Sequence, residues 1–555
     1  MGKVGPKTSL VAFAVLLSMP PFLIGFPTVT SASGHDILVV IRWIDEFSRQ
    51  FWEGDLYPRW LVAGNSGFGE PSFYFYPPLP FWLSAVFRGP GEGWMWPSNA
   101  LATALLIGRV GGAIGGFLWL GRHIPPRWAA FGAAFYVACP FTLTIGIYVR
   151  SAYAETMALG VLPFVLLAVD DAMDRAWRGV PRLAVATAVL AVCHLPTLLL
   201  GGLLTAIYTI GCGWRTPRRV VYAVLGAALG VALAGFYLAP ALGLLSLVRI
   251  EGMFEGNFSS LNWFLDGAYF RAQRRHMVLY IVFQIGCFVL AVLVFWWRRR
   301  EKPRGWWGPC WAALLVGMWL MTSLSAPLWT PGSPLAKVQF PWRLMGEVSL
   351  LMAAILASAA AVAPRRLAIL GMVAVIGAAL LPFGWSLLDD KFLRAAPQLT
   401  AARAELNLPE YVAIGWTGPL AVGGQVGKEY APPPRLEPAD AGKILSFDWH
   451  AGQALARVAL TGAAELIVPQ QSFPAWRAKD GSGEALTIGT APPVGLLRVA
   501  LRAGTTSVRI SRAMLPAEII GAYVSLGGLV LLGVIGWLGR RRGSHQSAGS
   551  PHAVQ

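Results

Sequence analysis

Apolar stretches of about twenty residues recur along this chain, and they restrict its possible folds more than any other feature. A stretch of that length crosses the roughly 30 Å hydrocarbon core of a bilayer as a helix. The stretches cover residues 8–27, 99–120, 127–149, 151–170, 182–198, 198–214, 219–240, 277–297, 306–326, 343–363, 366–387 and 517–539. The sequence therefore predicts a polytopic α-helical membrane protein with about twelve transmembrane helices.

The composition fits this prediction. Hydrophobic residues make up 55% of the chain and charged residues 13%, whereas soluble domains carry about 25% charged residues. The net charge of +17 lies mostly in short Arg and Lys clusters between the apolar stretches, which is the pattern of the positive-inside rule. We therefore expect membrane lipids, and no nucleic acid, as partners. All five cysteines lie in or beside apolar stretches, so no disulfide framework or zinc-ligand spacing is available.

The distribution of arginine predicts the orientation. With a cytoplasmic N-terminus, every Arg-rich connection falls on the cytoplasmic side. These connections are residues 121–128, 170–182, 213–219, 296–305, 363–366 and the tail at 540–546. The first loop, residues 28–98, is then extracytoplasmic and the C-terminus cytoplasmic. Residues 8–27 also have the flanks of a signal peptide, but in a chain with many later spans we expect them to remain as an anchor.

A polar block from 388 to 516 separates the last two apolar stretches. It is rich in Pro and Gly and contains short stretches at 443–450, 454–460, 464–468, 496–501 and 505–511. Short runs between turn residues are typical of antiparallel strands. We predict a transmembrane domain at 1–387, a small extracytoplasmic β-rich domain at 388–516, a last helix at 517–539 and a cytoplasmic tail at 540–555.

The ionisable residues outside the cytoplasmic connections collect at the predicted outer face. Ionisable groups at membrane depth are costly, and they usually face a cavity or pair with one another. We therefore expect a water-accessible polar site at the outer leaflet. The candidates are His35, Asp36, Asp45, Glu46, Arg59, Arg150, Glu155, His194, Arg271, Arg274, Arg275 and Arg343.

The acids of the first loop have two interpretations each. Asp36, preceded by His35, could take a proton from an acceptor hydroxyl or hold a divalent cation. It could equally be an acid that stabilises the first turn of a helix. Asp45 and Glu46 could act similarly, or form the charged face of a surface helix.

Three further residues also have structural interpretations. Arg150 and Glu155 could form an ion pair at a helix end instead of a catalytic pair. His194, in the sequence CHLPT, could be a hydrogen-bonded residue at a helix end that Pro interrupts, or a substrate or metal contact.

The remaining cations suggest an anionic ligand. Arg343 could be an interfacial arginine beside aromatic residues, or a guanidinium that binds a lipid phosphate through paired donors. Arg271, Arg274 and Arg275 depart from the positive-inside pattern, because they place three cations outside.

The order of several short motifs resembles a known family. The motifs are GHD, GDLYPRW, GNSGFGEP, FYFYPPLPFWL, VRSAYAE, CHLPT and QFPWR. In this order they resemble the bacterial multi-pass membrane proteins labelled 6-pyruvoyl-tetrahydropterin-synthase-related, although nothing here resembles a pterin enzyme. That family in turn resembles the GT-C glycosyltransferases, which use polyprenyl-phosphate-linked sugars at the outer face of the membrane.

The resemblance implies a GT-C-like fold in a bacterial plasma membrane and a transfer of sugar with inversion. An acid of the first outer loop is the base in GT-C enzymes, which implies Asp36, with Asp45 and Glu46 as reserves. Cations hold the phosphate of the lipid-linked donor, and the acceptor is an envelope glycan, a lipid or a protein. A divalent cation, Mg or Mn, is the cofactor that such a site could use. The alternatives are a non-catalytic scaffold of an envelope-assembly complex and a lipid or polysaccharide transporter.

Overall fold

Apolar helices build most of the structure. The computed structural model describes residues 36–91, 93–301, 305–387, 411–417 and 431–547, and also Val15. Eight helices in these ranges are long and apolar enough to cross a membrane, and a bent pair makes nine if it counts as one span. Two shorter apolar helices bring the elements to eleven. Each coincides with a predicted stretch, which confirms a multi-pass membrane protein, while the stretch 8–27 lies outside the described residues except for Val15.

The helices are numbered in chain order. The first loop contains α1 (Ile37–Glu53), α2 (Ser72–Phe75) and α3 (Leu79–Arg88). The next helices are α4 (Pro97–Leu120), α5 (Pro126–Ala138), a π-helix (Phe141–Val149), α6 (Tyr153–Arg175), α7 (Val180–Cys193), α8 (Leu195–Gly213), α9 (Pro217–Leu233) and α10 (Gly235–Gly243). They are followed by α11 (Ala268–Gln273), α12 (Arg275–Trp297), α13 (Trp307–Leu320), α14 (Met345–Val362), α15 (Arg365–Leu387) and α16 (Pro516–Ser547).

The predicted span at 219–240 is broken into α9 and α10, which meet at an angle of 72°. The cause is a side chain of α16. Ser525 Oγ donates to the carbonyl oxygen of Leu233 at 2.9 Å and accepts the N–H of Phe236 at 2.8 Å. A polar side chain inserted between two turns replaces the helix's own hydrogen bonds and bends it.

The first loop is packed, although its sequence suggests a polar surface. Trp43 and Phe47 of α1 are 2% and 0% exposed. The Phe47 ring lies 4.7 Å from that of Phe73, and the Trp43 ring lies 6.0 Å from that of Phe81. The aromatic residues of this loop therefore form a core between α1 and the segment that contains α2 and α3.

The region before α16 is β-rich, as predicted. Its strands are β3 (Arg435–Glu437), β4 (Gly442–His450), β5 (Gln453–Leu460), β6 (Ala464–Gln471), β7 (Trp476–Asp480), β8 (Ala485–Leu486), β9 (Ile488–Ala491), β10 (Leu496–Leu501) and β11 (Ser507–Arg512). They form a four-stranded sheet, β3-β6-β10-β9, and a five-stranded sheet, β4-β5-β11-β7-β8. Two earlier strands, β1 (Val248–Arg249) and β2 (Val412–Ala413), pair with each other. Residues 388–410 and 418–430 are not described, so the domain boundary at 388 stays a prediction.

Two buried glutamines at the end of β6 attach the first loop to the sheets. Gln470 accepts a hydrogen bond from Trp60 Nε1 at 2.7 Å and donates to the carbonyl of Gly67 at 2.9 Å. Gln471 donates from its side chain to the carbonyl of Gly69 at 2.6 Å. A Cβ on Gly69 would lie 2.1 Å from Gln470 Oε1, so only glycine allows this approach. The Gly-rich turn GNSGFGEP therefore serves to dock the loop.

Candidate functional site

Asp36 lies immediately before α1, where its N–H donates to the carbonyl oxygen of Arg150 at 3.3 Å. Asp36 occupies the N-cap position of α1, but its side chain makes no capping hydrogen bond to the helix. The side chain is accessible to solvent. Burial among protein atoms raises the pKa of its carboxyl, against the opposing effect of Arg150 and Arg343. An accessible carboxylate with many protein neighbours is typical of a cleft.

Arg150 and Glu155 form a buried, bidentate ion pair beside Asp36. Arg150 Nη1 and Nη2 donate to the two carboxylate oxygens of Glu155, each at 2.7 Å. Arg150 follows the π-helix, and Glu155 lies in the first turn of α6. The guanidinium also lies 4.5 Å from the Trp342 ring centroid. Both charges are therefore largely satisfied, and the pair has the geometry of a structural support.

Arg343 is the second cation near Asp36, and it keeps donor capacity. Its Nη1 donates to the carbonyl of Val338 at 2.9 Å. Its Nε lies 3.6 Å from Glu155 and has no hydrogen-bond partner among the described residues. The protein provides this guanidinium with one hydrogen bond and one looser ion pair, and guanidinium groups bind anions through paired donors.

Arg274 is the third cation that affects Asp36. It lies between α11 and α12, and its guanidinium lies 5.7 Å from the Trp263 ring centroid. Trp263 contacts the ring of Phe340 at 5.2 Å, and Phe340 stacks on Trp342 at 5.2 Å. An aromatic wall thus links the surroundings of Arg274, Arg343 and Arg150.

The cations of this site are guanidinium groups. Arg150, Arg274 and Arg343 act on Asp36 together with the carboxylate of Glu155. No group of three or more His, Cys, Asp or Glu side chains that could hold a metal occurs among the described residues. A donor set dominated by guanidinium groups does not fit a divalent cation, and His35 lies outside the described residues.

Asp45 and Glu46 lie elsewhere. They follow Asp36 by nine and ten residues, which is about 14 Å along a helix. Asp45 pairs with Arg49 at 3.0 Å and with Arg88 at 3.4 Å. Glu46 lies 3.6 Å from Arg42, and burial raises the pKa of Glu46 to about 8, although Arg42 opposes this. The structure therefore does not place the two reserve acids at the site of Asp36.

Arg59 belongs to another cluster. Its Nε lies 3.0 Å from Glu518 of α16, and its Nη2 donates to the carbonyl of Phe236 at 2.9 Å. Arg512 also contacts Glu518, at 3.3 Å. This cluster ties the first loop to α10 and α16.

The remaining candidates divide between structural and exposed positions. His194 lies immediately before α8, where its Nδ1 accepts the N–H of Thr197 at 3.3 Å. This is the geometry of a hydrogen-bonded residue at a helix end. Arg271 and Arg275 are exposed on either side of Arg274. Their role as ligands stays a prediction.

Reasoning from the sequence missed Glu347 and Glu70 among the buried acids. Glu347 lies in the first turn of α14, is 3% exposed and has one carboxylate oxygen without a hydrogen bond in the described structure. Glu70, in the motif GFGEP, accepts hydrogen bonds from Arg42, at 3.0 Å, and from Trp43. For Glu347, the available signal in the sequence was its position four residues after Arg343, a spacing at which side chains on a helix can pair.

Comparisons with known proteins point to one family. The model of the 6-pyruvoyl-tetrahydropterin synthase related domain, described as a membrane protein, matches residues 73–392. A comparison of the sequence with curated proteins found no match.

Two solved structures show weaker likeness. The arabinofuranosyltransferase AftD from Mycobacteria has 17% identity and a TM-score of 0.42, covering 69% of this chain and 27% of that chain. ArnT from Cupriavidus metallidurans, bound to undecaprenyl phosphate, has 15% identity and a TM-score of 0.30, covering 69% and 79%. The chain thus spans about a quarter of the length of AftD, and neither TM-score supports an inference about function. Because the family model covers more than half of the sequence, the chain belongs to the 6-pyruvoyl-tetrahydropterin synthase related family of membrane proteins.

Proposed function

We propose that this protein is a membrane glycosyltransferase. It moves a sugar from a polyprenyl-phosphate-linked donor to a hydroxyl of an extracytoplasmic glycan, lipid or protein. The observation that carries the proposal is the carboxylate of Asp36, which is accessible, makes no capping hydrogen bond to α1 and is influenced electrostatically by Arg150, Arg343 and Arg274.

Asp36 acts as the general base. Burial raises the pKa of its carboxyl, and a carboxylate with a raised pKa is a stronger proton acceptor. It takes the proton of the acceptor hydroxyl while that oxygen forms a bond to the anomeric carbon. The bond from the anomeric carbon to the phosphate oxygen breaks on the opposite side of the sugar, which inverts the configuration as in inverting sugar hydrolysis.

Arg343 and Arg274 hold the departing lipid phosphate. The phosphate leaves with an additional negative charge and needs no protonation by the protein. Arg343 makes one hydrogen bond, from Nη1 to the carbonyl of Val338, and its ion pair with Glu155 is loose at 3.6 Å; Arg274 forms no ion pair within the described ranges. Arginine suits this task because its donors match phosphate oxygens in pairs. Arg150 stays with Glu155 and positions the start of α1 through its carbonyl oxygen.

Substitution in the host tests the proposal. Asp36→Asn keeps the size of the side chain and removes the base, and a general base contributes about 100-fold or more to a rate. We expect at least that loss of sugar transfer, measured on extracted lipid-linked sugars and surface glycans, at an unchanged protein level in the membrane.

Two matched variants make the result specific. Asp440→Asn makes the same chemical change at an exposed position and should leave transfer unchanged. Asp45→Asn removes a reserve base that pairs with Arg49 and Arg88. If Asp36→Asn transfers sugar at the wild-type rate, the assignment of the base is wrong. If all three variants do so, a non-catalytic scaffold becomes the better explanation.

A further inference from the structure

One side of the five-stranded sheet carries an unusual concentration of positive charge. The side chains exposed on this side alternate along each strand with buried ones, as expected for a sheet with one solvated face. In these strands, which are fully described, Asp448 is the acid exposed on the same side. We call this surface the basic sheet face, and its cations are Lys443, Arg457, Arg477, Lys479 and Arg509.

These cations differ from others in the β-rich region in having no acidic partner. Arg435 pairs with Glu437 at 2.8 Å, and Arg498 pairs with Glu465 at 3.1 Å. Across the described ranges of the chain, no cation of the basic sheet face forms an ion pair. The positive charge of this face is therefore available to a ligand.

The strand register even places two cations opposite each other. Arg509 of β11 is the direct partner of Lys479 of β7, and its other neighbour across the sheet is Leu455. Like charges in directly opposite positions destabilise a sheet. Folding alone gives no reason for this pair, whereas a ligand that supplies negative charge would relieve the repulsion.

A groove adjoins these cations. It has a volume of about 550 Å³ and is lined by Leu445, by residues 457–460 and by residues 504–507. Arg457 lies opposite Ser507 across the sheet. The groove thus combines a guanidinium, the hydroxyl-bearing residues at 505–507 and a leucine that is 65% exposed. Such a lining suits a sugar chain, which has hydroxyls and apolar ring faces together with its charged groups.

The groove lies at the end of the sheet that is farther from the membrane helix. Strand β11 begins at Ser507 and ends at Arg512, and α16 starts at Pro516. Five steps along a strand amount to about 17 Å. The turn after His450, at the opposite end of β4 and β5 from the groove, contacts α1 through the Ala451 N–H and Glu53 at 2.8 Å. This placement indicates that the ligand is a polymer and not the surface of the lipid bilayer.

We infer that the basic sheet face binds an anionic glycan chain. Carboxylate or phosphate groups of the chain pair with Arg457, Arg509 and Lys479, while a sugar residue occupies the groove. Arginine side chains bind both anions through paired donors. Binding does not require the proposed transfer reaction, so the two proposals can fail separately.

Direct binding to the full chain tests this inference. The protein is placed in nanodiscs of zwitterionic lipid, and its affinity is measured for fluorescent polygalacturonate, poly(glycerol phosphate) and neutral dextran. We expect at least one of the two polyanions to bind at least about tenfold more tightly than dextran, and its affinity to fall as salt shortens the range of electrostatic attraction. The polyanion that binds more tightly identifies the carboxylate or the phosphate as the preferred group.

Two double variants distinguish an effect of the basic sheet face from an effect of the total charge of the protein. Arg457→Gln with Arg509→Gln should lower polyanion affinity at least about tenfold. Arg435→Gln with Arg498→Gln removes the same charge from the other sheet and should change affinity less than twofold. A cooperative thermal unfolding transition is the check that both double variants are folded. Equal losses in both variants, equal binding of dextran, or loss of polyanion binding in nanodiscs of anionic lipid would each refute the inference.

Discussion

Replacing Gln470 with leucine should release the first loop from the β-sheets. Gln470 is 1% exposed. It accepts a hydrogen bond from Trp60 at 2.7 Å and donates to Val62 at 3.1 Å and to Gly67 at 2.9 Å. Leucine has a similar volume, but it cannot bind the indole N–H of Trp60 or the carbonyl oxygens of Val62 and Gly67.

The size of the effect follows from these three hydrogen bonds. Each contributes about 1 kcal/mol net, so the loop loses about 3 kcal/mol of stabilisation. Since about 1.4 kcal/mol corresponds to a factor of ten, the open form of the loop should be about 100-fold more populated. Gln471 still donates to Gly69 at 2.6 Å, so the loop should open locally while the rest of the chain stays folded.

Limited proteolysis measures this opening. Phe68 is 7% exposed in the closed loop, and thermolysin cleaves before such apolar residues once they are accessible. When closing is fast, the cleavage rate follows the open population, so we expect a rate about 100-fold higher for Gln470→Leu in nanodiscs. Gln453→Leu, at an exposed glutamine of β5, is the control. A rate for Gln470→Leu within threefold of the wild type would show that these hydrogen bonds do not hold the loop.

Two buried acids give predictions about stability. Glu155→Gln leaves Arg150 buried without its carboxylate, which should cost about 3–5 kcal/mol. The thermal unfolding temperature and the amount of protein in the membrane should both fall, and no change in either would contradict the pairing. Replacing both residues by leucine and methionine should recover part of the loss. Burial raises the pKa of Glu46 from 4.5 to about 8, so the folded chain holds a proton there that the unfolded chain releases. The stability of the wild type should therefore fall between about pH 5 and pH 8 relative to Glu46→Gln, and a difference in unfolding temperature that does not vary with pH would refute this.

The positions of the membrane helices could be predicted from the sequence because a helix must be apolar over the full width of a bilayer. The bend between α9 and α10 could not. It depends on Ser525, which lies 289 residues after Phe236 in the sequence. Burial of the first loop was also missed. The rings that cover Trp43 and Phe47 belong to Phe73 and Phe81, and the many aromatic residues of this loop equally fit anchors at the membrane interface.

The candidate site was predicted in part. The sequence identified Asp36, Arg150, Glu155, Arg274 and Arg343, which the structure brings into one electrostatic group. It could not separate Asp36 from Asp45, because the difference lies in their partners. Asp45 pairs with Arg88, 43 residues away, while Asp36 has no such partner in the described ranges. Likewise, Arg59 was grouped with the site, although its partner Glu518 belongs to the last helix.

The glutamine contacts also limit how the β-rich region can be exchanged between proteins. Because Gln470 and Gln471 bind main-chain groups of residues 62–69, the sheets and the Gly-rich turn must fit each other. A chimera that takes only the sheets from a relative would pair its β6 with a foreign turn. Exchange should therefore succeed when residues 60–70 are transferred together with the sheets, which makes the turn part of the module even though some 400 residues separate the two in the sequence.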